Sequence, residues 1–168
     1  GNRVGYLTGA NPGGDVKSVA LAFVRDNAAL LGLTPGDVAE YEITDDVYST
    51  ASGVRHLYLR QTYQGLPVYN GQMQVHIDRD GSILGLNNLF LPNLAQSVNR
   101  QQPSLTALQA VVAAATHLNR IVGPINQGSV DSSARQRTVL SASALSEKPI
   151  EASLMLLPIG AGEARLVW

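Results

Sequence analysis

Three histidines, His56, His76 and His117, are the side chains best equipped for chemistry in this sequence. A hydrolytic metal centre needs two imidazoles one helical turn apart with a glutamate beside them, because both rings must face one ion. The three histidines never stand at that spacing: His56 and His76 fall in strand-like segments and His117 in a helical one. Local pattern puts His76 on the polar face of its strand and leaves His117 just behind an apolar stripe. Asp78-Arg79-Asp80-Gly81 opens like a calcium loop, yet that loop requires glycine sixth and a bidentate glutamate twelfth, where this chain has Ile83 and Leu89. It reads instead as a hairpin turn with Gly81 at positive φ. Asp45 and Asp46 are adjacent, so on a strand they face opposite ways and cannot work as an acid–base pair. Glu40 and Glu42 share a face with no cleft signal around them. The sequence has no GxSxG elbow, phosphate-binding glycine loop or dinucleotide glycine triad. The expectation is a non-catalytic chain without metal or cofactor residues of its own.

The elements that would carry these residues follow from composition and period. With 45% hydrophobic and 15% charged residues in 168, the chain is apolar enough to fold. Its net charge of −1 gives no electrostatic reason to expect nucleic acid or an anionic membrane as partner. The absence of cysteine excludes thiolate metal sites, cysteine nucleophiles and disulfides. The longest charge-free stretches hold Pro92, Asn93, Gln101, Pro103 and Gln109, too polar for a membrane span. No basic start followed by an apolar run opens the chain, so a secretion signal is expected to have been removed or never present.

Residues 1–14 read as a turn-rich leader around GANPGG. From Asp15, the apolar residues Val16, Val19, Ala20, Phe23, Val24, Ala28 and Leu31 recur at three and four, predicting a helix capped by Asp15 and stopped at Gly32. Thr34-Pro35 starts one further helical turn. Between residues 41 and 90 the period becomes two. Segments 54–63, 66–77 and 82–90, joined by turns at Gln64-Gly65 and 78–81, predict an antiparallel meander whose wet face carries Gln72, Gln74 and His76. Residues 93–103 read as a linker. A second helix is expected from a Ser104 cap through Leu118, ended by Gly123-Pro124, then strands at 137–143, 150–157 and 163–168. Residues 126–134 read as polar loop. The fold class predicted is α+β, with helix followed by antiparallel strands twice over.

The run from Val54 to Gly71, with Gln61-Thr62-Tyr63, the Gln64-Gly65 turn and Leu66-Pro67-Val68, followed by Val75-His76-Ile77-Asp78-Arg79-Asp80-Gly81, resembles the fungalysin/thermolysin propeptide (FTP) domain. Residues 20–33 are similar to its leading helix, and 104–118 to the helix of the PepSY-type half that follows. Residues 148–158 and 163–168 are similar to the end of fungalysin-type proregions. The departures are Gln64 in place of the commoner asparagine, and a chain that stops at Trp168 before the remaining strand, the processing junction and any catalytic domain.

The resemblance implies two cystatin-like units, an FTP unit over 15–92 and a PepSY-like unit over 104–168. It implies a propeptide that helps a secreted zinc metalloprotease fold and holds it inactive until removed. The partner is then the cognate catalytic domain, and zinc belongs to that domain and not to this chain. The motif residues Gln61, Tyr63, Gly65, Pro67, Val68, Asp78 and Gly81 are expected to be structural with a share in partner contact. A free-standing secreted binding or inhibitor module, and a small histidine-centred hydrolase, are the alternative readings.

Overall fold

The computed structural model describes residues 2–4, 15–99, 102–160 and 162–168. The helical period that begins at Asp15 becomes α1 (Val16–Asp26), with the Asp15 carboxylate accepting from the Lys17 backbone N–H at its N-cap. The helix ends earlier than its apolar stripe. Asn27 donates both its backbone N–H and its side-chain amide to the Phe23 carbonyl, and residues Ala28–Leu31 tighten into a 3₁₀ turn closed by Gly32 at φ 74°. Ala20, Val24, Ala28 and Leu31 are buried all the same, so the stripe marks the core face on both sides of the break. A second 3₁₀ turn, Pro35–Val38, follows a Thr34/Asp37 capping box.

The alternating region folds as β2 (Tyr41–Tyr48), β3 (Arg55–Tyr63), β4 (Leu66–Ile77) and β5 (Ile83–Asn88), each antiparallel to the next. β1 (Asn2–Val4) lies beside β5, giving the order β1-β5-β4-β3-β2. Leu57 and Leu59 of β3 and Met73, Val75 and Ile77 of β4 have at most 1% of their surface exposed and meet α1 across one face. Each such side chain stabilises the fold by about 1.5–3 kcal/mol relative to an exposed one.

The remaining chain supplies α2 (Leu94–Ser97), α3 (Ala107–His117), β6 (Asn126–Val130), β7 (Thr138–Ser141), β8 (Ile150–Ala152), β9 (Met155–Gly160) and β10 (Glu163–Val167). Several of these differ from the sequence expectation. The stretch read as a linker contains α2, which buries Leu94 and Ser97. The cap of α3 is Thr106 and not Ser104, because Gln109 stands three residues on and completes a capping box. Residues 126–130, read as loop, form strand β6 on β7. The expected strand over 150–157 is two strands, interrupted where the Leu154 N–H turns to the Arg135 carbonyl. β6, β7 and β8 form a separate small sheet, while β9 and β10 pair as a hairpin attached to β4. Of the leader, residues 2–4 form a strand, and the GANPGG run lies outside the described residues.

The attachment depends on a bow in β4. Between the pairs Arg60↔Gln72 and Thr62↔Pro67, residues 68–71 of β4 stand opposite Gln61 alone. Asn70 takes φ 55°, the strand swings outward, and Val68 then pairs in parallel with Leu156 of β9. The architecture is α+β with a mixed sheet. Gly71 is required at the bow: a Cβ there would lie 2.8 Å from the Val68 Cβ and 3.3 Å from that of Gln61. Gly71→Ala should therefore destabilise the chain by about 1–3 kcal/mol in urea unfolding. Gly85→Ala on β5, where nothing lies within 4 Å, should change stability far less.

Candidate functional site

The motif residues converge on the β3–β4 hairpin and the strand ends around it. Gln64 at φ 51° and Gly65 at φ 78° give the turn the double positive φ of type I′, which matches the twist of the two strands. The Gly65 N–H donates to Glu40 Oε2 at 3.3 Å, and a Cβ on Gly65 would stand 3.1 Å from the Ala134 methyl, so the turn is packed from both halves of the chain. Pro67 and Val68 are buried, and half-buried Tyr63 packs on a second apolar cluster built from Leu66, Val68, Leu94, Leu154, Leu156 and Ala164. At the other end of β4, the Gly81 N–H donates to the Asp78 carbonyl at 2.9 Å and Gly81 takes φ 86°, closing the β4–β5 turn.

Gln61 has no exposed surface, so in this fold it offers nothing to a partner. Its Nε2 donates to the carbonyls of Asp37 at 3.1 Å and Leu91 at 3.0 Å, while its Oε1 accepts from the Leu91 N–H at 2.8 Å. Asp37 is its counterpart. Burial alone would raise this carboxyl, but the Thr34 and Leu94 backbone N–H groups, the Thr34 hydroxyl and the Asn93 N–H all donate to it and hold it below 3.8. Local pattern marks neither role. A capping box at 34–37 is legible, whereas the reach of Asp37 to residues 93 and 94 is tertiary.

The outer face of the first sheet is the polar one. Gln72 is exposed, and Gln74 and His76 are half-buried. His56 lies directly opposite His76, with Nδ1 to Nδ1 at 2.7 Å and the rings edge to face at 74°. The sequence spacing gave no sign of this pair, since cross-strand register alone creates it. His117 remains exposed at the end of α3. Asp45 and Asp46 do face opposite ways: Asp46 accepts from Lys17 at 2.6 Å and from Arg55, while Asp45 stands opposite Tyr58 on the outer face. Glu42 pairs with Arg135 across the two halves. Among the described residues no three metal-ligating side chains gather. No buried side-chain nitrogen or oxygen there lacks a hydrogen-bond partner.

Where the halves meet, an open groove of about 660 Å³ is lined by Leu33, Tyr69, Leu89, Phe90, Leu157 and Pro158, with Leu89 61% exposed at its rim. The described residues thus present two open surfaces, an amide- and imidazole-bearing sheet face and an apolar groove.

Because Asp37 ties two segments together as an anion, Asp37→Asn should cost about 1.5–3 kcal/mol at neutral pH. The native carboxyl titrates below its ordinary value, so this stabilisation is present above pH 3.8 and is lost as pH falls through the lowered native value. Urea unfolding of both chains from pH 7 to 2 should show the difference shrinking only at the acid end.

Residues 39–90, which include all of β2 to β5, match the Fungalysin/Thermolysin Propeptide Motif. Extracellular metalloproteinase 10 of Coccidioides posadasii (strain C735) is 30% identical over 102 residues, covering 52% of this chain and 16% of that protein. Extracellular metalloproteinase mep of Aspergillus flavus is 30% identical over 137 residues, 77% of this chain and 21% of the relative. Among solved structures, the Bacillus megaterium YpeB C-terminal domain is similar at a TM-score of 0.39 and 12% identity, over 91% of this chain and 63% of that one. The matched part spans about a fifth or less of these metalloproteinases. Residues 39–90 thus carry the fungalysin/thermolysin propeptide motif, and the chain around them is similar to part of extracellular metalloproteinases.

Proposed function

We propose that the chain is the propeptide of a secreted zinc metalloprotease, acting as intramolecular chaperone and inhibitor of the catalytic domain until it is cut away. The observation that carries this reading is the propeptide motif over residues 39–90, together with relatives that are extracellular metalloproteinases of several times this length. An inhibitor needs surface and rigidity and no reacting groups of its own, and the outer sheet face and the groove would supply that surface. Secretion is supported by the relatives' names. No helix among the described residues is long and apolar enough to cross a membrane.

In this reading residues 15–92 are the FTP unit and 104–168 a PepSY-like unit, each descended from a cystatin-like plan. The first unit, α1 on an antiparallel sheet, supports that plan well. In the second, α3 buries only Ala107 and Ala115 among its residues, and its strands divide between two sheets, so the order helix then strands is what supports it. The zinc of the mature enzyme would be held by the catalytic domain.

With a net charge of −1, recognition of the catalytic domain rests on shape, buried apolar area and local hydrogen bonds more than on steering. The groove beside Leu89 is one apolar surface available for it. Adding the chain to its mature protease should lower peptide hydrolysis in a saturable way and raise the yield of refolded enzyme. An unchanged rate together with an unchanged yield at high micromolar chain would overturn the reading. Leu89→Lys should weaken inhibition by about tenfold or more with little loss of stability, because the side chain is already mostly in water.

A further inference from the structure

The His56–His76 contact joins the two central strands of the first sheet, and nothing in the propeptide reading requires it. Two Nδ1 atoms at 2.7 Å are at hydrogen-bond distance, and such a bond needs one N–H and one lone pair. With both rings neutral, one tautomer supplies the proton to the other. With one ring charged, the imidazolium donates to its neutral neighbour, and the bond strengthens. With both charged, two N–H donors and two positive charges face each other, and the contact cannot persist at that distance.

The surroundings do not relieve the second charge. On the same face stand Val47 and Asp45 of β2, Tyr58 of β3, Gln74 of β4 with Asp78 just beyond its end, and Gly85 and Asn87 of β5. Asp45 accepts from the Asp46 N–H and Asp78 from the Arg79 N–H. Neither forms an ion pair with a histidine among the described residues. Arg60, opposite Glu42 with its partner Arg135, lies four residues further along β3 from His56. The separation of 2.7 Å suits a shared proton, whereas two imidazoles on one metal ion stand further apart, at about 3.3 Å for tetrahedral bonds of ~2.0–2.1 Å.

We propose that the His56–His76 pair is an acid-operated latch on the propeptide sheet: it stays closed with one shared proton or one added charge, and the second added proton forces β3 and β4 apart at that end. His76 is held below its ordinary value by burial and by the neighbouring His56, in keeping with the geometry. A histidine that resists protonation in the folded chain contributes stability above its unfolded value near 6.5, and that contribution is lost as pH falls through the depressed native value. Mild acid then loosens the sheet that carries the motif. The link to release of a protease rests on the proposed function, but the latch is a property of this chain alone and is tested without any enzyme.

Thermal unfolding of the full 168-residue chain between pH 8 and 5 provides the measurement. For a chain of this size, each pH unit of depression should add roughly 3–5 °C to the acid-side fall of the midpoint. His76→Gln and His56→Gln should each remove that extra fall while leaving the midpoint at pH 8 within a few degrees. Parallel curves for the original chain and both variants would overturn the latch. If the variants fold poorly, imidazole NMR titration of the original chain decides. Two coupled steps, one displaced below 6.5 by about a unit or more, support it, and two independent titrations near 6.5 overturn it. A midpoint raised by added zinc in the original chain and not in the variants would also overturn it, by making the pair a metal site.

Discussion

A single buried carboxamide fixes how the parts of this chain meet. Gln61 sits on β3 at the point where β4 bows away, and its three hydrogen bonds run to the backbone of the 3₁₀ turn at Asp37 and to the chain leaving β5 at Leu91. Asp37 continues the network to Asn93 and Leu94. These polar groups occupy a place that apolar side chains would fill less specifically, since leaving any one donor or acceptor unpaired there costs about 1–3 kcal/mol. The helix–sheet core, the bow of β4 and the start of α2 are consequently held in one arrangement.

That arrangement explains why the motif is an ordered set of residues with no single diagnostic member. Gln61 joins segments, Gly65 makes the turn, Pro67 and Val68 carry β4 into the second cluster, and Asp78 and Gly81 close the far end. Each solves a backbone problem at a fixed distance along the hairpin. The outer sheet face and the groove surround the motif without being made of it.

Much of the first half was legible because its signals are local. The period of α1, the glycine stop at Gly32, the Gln64-Gly65 turn and the alternation of β4 each follow from neighbouring residues. The expectations that failed concern pairing at a distance. β6 is exposed at all five positions, so it has no inward stripe to read and exists through its bonds to β7. The break in the strand over 150–157 reflects the demand of the Arg135 carbonyl, and the burial of Leu94 reflects Asp37, far away in sequence. The imidazole pair belongs with these: a shift of one residue in the β3–β4 register would move one ring to the opposite face.

The bow in β4 has a topological consequence. One strand supplies hydrogen bonds to β3 and β5 along one stretch and to β9 along another, while Leu66 and Val68 share an apolar cluster with Leu154, Leu156 and Ala164. The covalent link between α2 and α3 is therefore not what keeps the two halves together. A single backbone cut there would leave these contacts in place, so parting the two halves requires separating β9 from β4 and opening the shared cluster as well as severing the chain.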